Sequence, residues 1–171
     1  RRAEALSKKR DHLIQHMLRG LGAKIGKDFF KTLAAELSTA LNNATVQVIE
    51  MEPDTNPPRG RALINGHKVP QETELLLQDT AALTIIKANG PQRWHDVQAA
   101  FPKNELLRRM NARDLMGVPL LASDGSVMGA LIIFSSQQFE DAGFVLQLLQ
   151  IFSLRTANEM ERLRHERTLL A

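Results

Sequence analysis

The residues of this chain best suited to ligate a metal or move a proton near neutral pH are its five histidines, His12, His16, His67, His95 and His165. His12 and His16 stand four apart, a spacing that puts both rings on one helix face and can hold a metal. No glutamate lies between them in the zinc-hydrolase pattern, so they read as a solvated helix pair. His67 sits beside Gly66 in a turn, and His95 follows Trp94, the one tryptophan. There are no cysteines, which excludes disulfides, thiolate chemistry and cysteine-ligated metals. Gly20-Leu21-Gly22 lacks the preceding strand and the third glycine that a phosphate-cradling loop needs. Glu72 and Glu74 would point opposite ways on a helix or lie in a loop, so they make no acid–base pair. These residues assemble no catalytic constellation and no metal centre, and the segment is expected not to be an enzyme.

The elements that would position any site centre on residues 113–134, RDLMGVPLLASDGSVMGALIIF. Two apolar runs, 115–121 and 127–134, flank Ser123-Asp124-Gly125-Ser126. Asp-Gly is a strong hairpin signal, because the turn needs a positive φ that glycine adopts freely. Strands apolar on both faces belong in the middle of a sheet covered on both sides. Pro119 cannot donate to a ladder and predicts a bulge or an edge there, while Gly117 and Gly129 allow close approach of a backbone or a ligand.

Upstream, residues 1–18 are polar and helix-prone, with Leu6, Leu13 and Met17 in a narrow stripe suited to a helix–helix seam. Residues 29–41 predict a second helix, with Phe30, Leu33, Leu37 and Leu41 on one face. Residues 45–51 alternate as a strand, Val46, Val48 and Glu50 one way and Gln47, Ile49 and Met51 the other. Residues 60–65 predict a second strand ending in an Asn65-Gly66 turn. Residues 72–87 read mostly as helix, with an ambiguous β-branched end at 84–86. Residues 92–96 predict a short strand and 103–110 a short helix. Residues 140–170 predict a long helix, apolar in its first half. Its charged second half keeps Met160, Leu163 and Leu170 as a stripe, which implies that it leaves the domain and meets a partner.

A chain of 171 residues, 43% hydrophobic, suffices for one domain with a sizeable core. No apolar run approaches the roughly 20 residues of a membrane span, and no secretory signal is present. The expected location is cytoplasmic, without direct membrane insertion. Both ends lie in charged helical sequence, which implies a piece of a longer protein. The net charge is +3, but residues 1–31 hold nine Lys and Arg against three acids. That excess reads as a solvated helix face rather than a nucleic-acid surface, because the aromatic residues that stack bases are absent from it.

The pattern Gly117-Val118-Pro119-Leu120, the Asp124-Gly125 turn and Gly129-Ala130-Leu131 with its apolar run resembles the core hairpin of GAF domains. Upstream, Asp96 to Pro102, Leu106-Leu107 and Ala112-Arg113 resemble a bacterial subgroup found in modular sensor proteins, and Phe139-Glu140-Asp141 opens the long helix expected there. The resemblance covers roughly residues 29–163. It implies an α/β (α+β) fold: a central antiparallel sheet of five to six strands, helices from both chain ends on one face, and residues 72–87 and 103–110 over the other. It implies an N-terminal signalling helix or linker over 1–22, a sensory domain over 23–155 and a C-terminal linker helix over 156–171. The function implied is a regulatory module that binds an unidentified small molecule, or relays a signal through a dimeric helix bundle, to a covalently linked output domain. A ligand-free dimerisation connector with a filled core is the alternative.

Family position makes Trp94, Phe101, Met110 and Met116 the expected border of one pocket or core layer on the loop side of the sheet. Arg113 and Asp114 stand at its rim or in a solvent-facing salt bridge. His95 is either a hydrogen-bonded structural residue or a contact to haem or another small molecule. The resemblance assigns no cofactor. The lack of cysteine removes the family's sulfoxide-reducing and cysteine-linked bilin branches, and Thr80-Ala81-Ala82 stands where relatives often carry Thr-Pro-Cys. The signature of the cyclic-nucleotide-binding branch is also missing. Placing both terminal helices on one face favours a parallel homodimer through Leu6, Leu13, Met17, Met160, Leu163 and Leu170 over their pairing within one chain.

Overall fold

The computed structural model describes residues 2–65 and 72–170, apart from the side chain of Leu170. The chain runs α1 (Arg2–Leu21), α2 (Gly26–Ala40), β1 (Thr45–Met51), β2 (Arg59–Asn65), β3 (Glu72–Leu76), α3 (Ala81–Ala88), β4 (Gln92–Trp94), α4 (Val97–Ala100), α5 (Glu105–Arg109), β5 (Asp114–Leu121), β6 (Val127–Ser135) and α6 (Ala142–Leu170). The expected turn at Gly66, and His67, lie outside the described residues.

The six strands form one antiparallel sheet in the order β3-β2-β1-β6-β5-β4. Alternation along β1 sorts the core into two layers. Val46 and Val48 face α1, α2 and α6, where Met17, Leu21, Phe29, Leu33, Leu37, Leu148, Phe152 and Met160 are buried. Ile49 faces the other way, toward Ile85 of α3, Val97 of α4 and Leu107 of α5. The α/β fold with terminal helices on one face and short helices on the other is therefore as the sequence implies.

The central hairpin forms as read. Gly125 sits at φ +85° in the β5–β6 turn. Gly129 lies opposite Glu50, where a Cβ would collide with the carbonyl oxygen of Ile49, so β1 and β6 can pair only with glycine at that position. Pro119 pairs with β6 alone, because β4 ends opposite Leu115 to Gly117, and the β5–β6 ladder shifts register between Leu120 and Leu121.

Two expectations are corrected. Residues 72–87 are not one helix: Glu72–Leu76 is an edge strand paired to β2 from Leu63↔Glu72 to Arg59↔Leu76, and the helix begins after Thr80. Glu and Leu favour helix locally, but the exposed edge of β2 supplies a ladder, and tertiary pairing outweighs a weak propensity. The Thr80 hydroxyl then accepts the Leu83 N–H at 3.3 Å and caps α3. Glu72 and Glu74 consequently share the exposed side of a strand instead of diverging on a helix.

Nor does α6 leave the sheet where its charged half begins. Thr156, Ala157 and Met160 are buried. Beyond them, Arg164 donates to Glu50 at 2.6 Å and to the Met51 carbonyl at 2.6 Å, and Arg167 reaches Glu50 at 3.2 Å. The arginines of this half are anchors to β1.

Candidate functional site

The strongest candidate site lies on the α3–α5 side of the sheet, toward its β3 edge. α3 starts beside β3 and packs across β5 and β6, which leaves the inner surface of β1–β3 partly uncovered. The result is a cavity of about 460 Å3. Its floor is Ala62 and Ile64 of β2, Gln47 of β1, and Thr73 and Leu75 of β3; its wall is the turn Gln78-Asp79-Thr80 with Lys103, Asn104, Leu106 and Arg109. Concave, partly apolar sites with a few polar groups are where small molecules bind.

Three polar side chains there are already engaged. Thr73 donates to the Glu74 carbonyl at 3.0 Å, Thr80 donates to the Leu77 carbonyl, and Asn104 accepts the Leu107 N–H at 3.2 Å. Gln47 differs. The residue is 8% exposed, it lines the cavity, and its amide has no protein hydrogen-bond partner among the described residues; since no fully buried side-chain nitrogen or oxygen there lacks a partner, the amide is open to the cavity. An amide open to a cavity is satisfied by the water or the ligand that fills it. A second hollow, of about 420 Å3, lies between the α2–β1 turn and the loop before α6, lined largely by exposed polar residues such as Asn42, Asn43, Gln137 and Glu140.

The residues singled out from the sequence are not brought together as one site. Trp94 and Phe101 meet edge to face, centroids 5.3 Å apart, and with Met110 they pack on the core layer of α3–α5. Met116 lies in the opposite layer, among Val46, Val118 and Ile133. The four-residue grouping is thus corrected to three. Phe101 alone reaches a hollow that adjoins the cavity, and Met110 lines the one near the α2–β1 turn. His95 is exposed, its Nδ1 3.2 Å from Gln138 Oε1, while Gln138 donates to the His95 carbonyl at 2.8 Å. Arg113 is exposed, and its main chain joins Val97 to Ser135.

Asp114 is neither at a rim nor in a solvent-facing pair: it is fully buried. Arg93 of β4 grips it with two hydrogen bonds, Nε at 3.1 Å and Nη2 at 2.8 Å, and the Phe139 N–H adds a third at 2.9 Å. Donating to Asp114 raises the Arg93 guanidinium above its ordinary pKa, outweighing the opposing effect of burial. This cluster ties β4 and β5 to the loop that enters α6.

A helix over residues 72–76 leaves the cavity floor without its third strand, so the helical reading does not reveal the cavity. The available signal is the five-residue segment ETELL, which begins six residues after Asn65-Gly66, within hairpin reach of the strand at 60–65.

The model of the family described as the GAF domain matches residues 27–160. The chain belongs to the GAF family. Among solved structures, this GAF domain is similar to one from a phosphoenolpyruvate-protein phosphotransferase of Coxiella burnetii, at TM-score 0.72 and 14% identity over 93% of this chain and 96% of that one. The GAF domain of an Acinetobacter phosphoenolpyruvate-protein phosphotransferase gives TM-score 0.70 and 12% identity, over 94% and 98%. The chromophore-binding domain of a bacteriophytochrome from R. palustris gives TM-score 0.72 and 11% identity, over 94% of this chain and 63% of that one. At these identities the likeness is one of fold. No curated protein matches the sequence significantly.

Proposed function

We propose that this GAF domain is a sensory module that holds a small molecule in the cavity between β1–β3 and α5 and passes its state through its terminal helices to a neighbouring output domain. The observation that carries the reading is Gln47, a largely buried residue whose amide opens into the cavity with no protein partner among the described residues. The phytochrome likeness supports a sensory use of the fold in general terms. Contacts for relay run from the sheet to α6: Phe139 on Asp114, Ser123 on Glu161 at 3.1 Å, and Arg164 on Glu50.

The transmitting form is a homodimer, with a contact surface different from the one the apolar stripes imply. Met17 and Met160 are buried within one chain, and Leu13 packs partly against the same core. Leu163 is half-buried, and the side chain of Leu170 lies outside the described residues. Leu6, 48% exposed, and Leu154, 70% exposed, remain accessible. Leu154 stands in an outward stripe of α6, Gln147-Gln150-Leu154-Asn158, that carries no charge over about three turns, so no like-charge repulsion opposes its pairing with a second copy.

A ligand-free connector is the second reading, favoured by one feature. Opposite β5 and β6 the layer is closed, Ile85 packing into the space a Cβ at Gly117 would occupy. Native mass spectrometry of the purified 19.1 kDa chain separates the two. A dimer with a retained non-covalent mass is expected. A bare dimer supports the connector, and a bare monomer at high micromolar concentration sinks both.

A further inference from the structure

The charges around the Gln47 cavity are lopsided. Lys103 and Arg109 stand on its wall. Past Gln78, Asp79 and Thr80, which border both spaces, it adjoins a hollow of about 520 Å3 that adds Lys87. Across the two, Asp79 is the one carboxylate among the described lining residues. Lys87, Lys103 and Arg109, like Arg59, Arg108 and Arg113 elsewhere on the surface, make no ion pair among the described residues, so their charge is not neutralised by a protein carboxylate. Thr80, the cap of α3, borders both spaces, and Leu83 and Thr84 of its first turn line the adjoining hollow, where the N-terminal end of the helix adds positive potential. A cationic ligand would meet three cations and one carboxylate, and a neutral one would leave the field unused.

We propose, on the reading of this cavity as a ligand site, that its ligand is a small organic anion. Its charged head meets Lys103 and Arg109. A second polar group, deeper in, exchanges hydrogen bonds with the Gln47 amide, which both donates and accepts. A short apolar body lies over Ala62, Ile64, Leu75 and Leu106. Because the cations are at the rim, the head-group contribution is screened by salt, while the contacts at Gln47 and the apolar floor are not.

A matched probe pair tests this on the full chain: 8-anilinonaphthalene-1-sulfonate, and N-phenyl-1-naphthylamine, the same skeleton without the sulfonate. Binding is followed by fluorescence, and the site by amide chemical shifts. The sulfonate is expected to shift the Gln47 side-chain amide and the backbone amides of Ala62, Thr73 and Leu75, and to bind about tenfold tighter than the neutral probe. Lys103→Gln with Arg109→Gln should remove that advantage and leave the neutral probe unchanged. In the unmodified chain, added sodium chloride should weaken the sulfonate alone, a readout independent of any variant. If both probes shift those amides with equal affinity at every salt concentration, the anion proposal falls and the ligand site stands. If neither shifts them, or the shifts fall instead on the apolar groove lined by Phe30, Leu63, Met160 and Leu163, the site reading falls with it.

Discussion

At the scale of single residues, Asp114 is the most consequential side chain in the molecule. It is a fully buried carboxylate, held by Arg93 and by the Phe139 N–H. Removing one partner of a buried pair leaves an uncompensated charge, which costs more than the pair itself contributes. Arg93→Ala is expected to destabilise by about 2–3 kcal/mol in urea unfolding, somewhat below the cost of breaking a fully buried pair because the Arg93 side chain is partly exposed. A loss no larger than that from an exposed arginine such as Arg113 would show that water reaches Asp114. Gly125 offers a cleaner case. A Cβ there meets nothing within 4 Å, so any cost of substitution is conformational. Gly125→Val should cost about 1–2 kcal/mol through left-handed strain, and Asp124→Ala less. A melting shift for Gly125→Val equal to that of an ordinary loop substitution would contradict the turn's role.

At the scale of elements, α6 organises the terminal-helix layer, and one carboxylate joins it to α2. Glu159 accepts the Gly26 N–H at 2.9 Å and Arg162 Nε at 3.0 Å. The Arg162 hydrogen bond, helped by the Gly26 N–H, holds its pKa below the usual glutamate range against the opposing effect of burial. A folded-state pKa below the unfolded one means that the stabilisation is complete above the ordinary value of about 4.3 and is lost as pH falls through the lower folded value. Glu159→Gln should therefore be less stable than the parent at neutral pH, with the difference shrinking in acid. Urea midpoints from pH 7 down to about pH 3 check this, and a difference constant across that range would exclude the linkage.

At the scale of the whole molecule, burial separates what can hold a dimer from what holds the monomer. Met17→Glu or Met160→Glu places a charge in a layer where each side chain is at most 2% exposed, and should unfold the chain rather than dissociate it. Leu6→Glu with Leu154→Glu alters exposed positions and should give a folded monomer by sedimentation. A double variant that stays dimeric would move the interface elsewhere. The same distinction applies to ligand response: an occupant of the Gln47 cavity touches the sheet directly, and α6 is reached only through contacts such as Phe139 on Asp114 and Arg164 on Glu50.

The sequence by itself determined the features that depend on local geometry. The two-residue alternation of Thr45–Met51 sorts its side chains into two layers, and Asp124-Gly125 closes the central hairpin, because strand period and turn backbone are properties of a few adjacent residues. The α/β arrangement followed from those elements and from the GAF resemblance. Only the tertiary structure decided what depends on pairing partners. Trp94 sits opposite Leu115, so it faces the side of Leu115 and not of Met116; a single step of register separates the two layers. Residues 72–76 became a strand because β2 offered an edge, and the cavity exists because that strand extends the sheet past the reach of α3. None of the singled-out site residues lines it, since a cavity is what packing leaves open between distant segments, and no spacing along the chain encodes it.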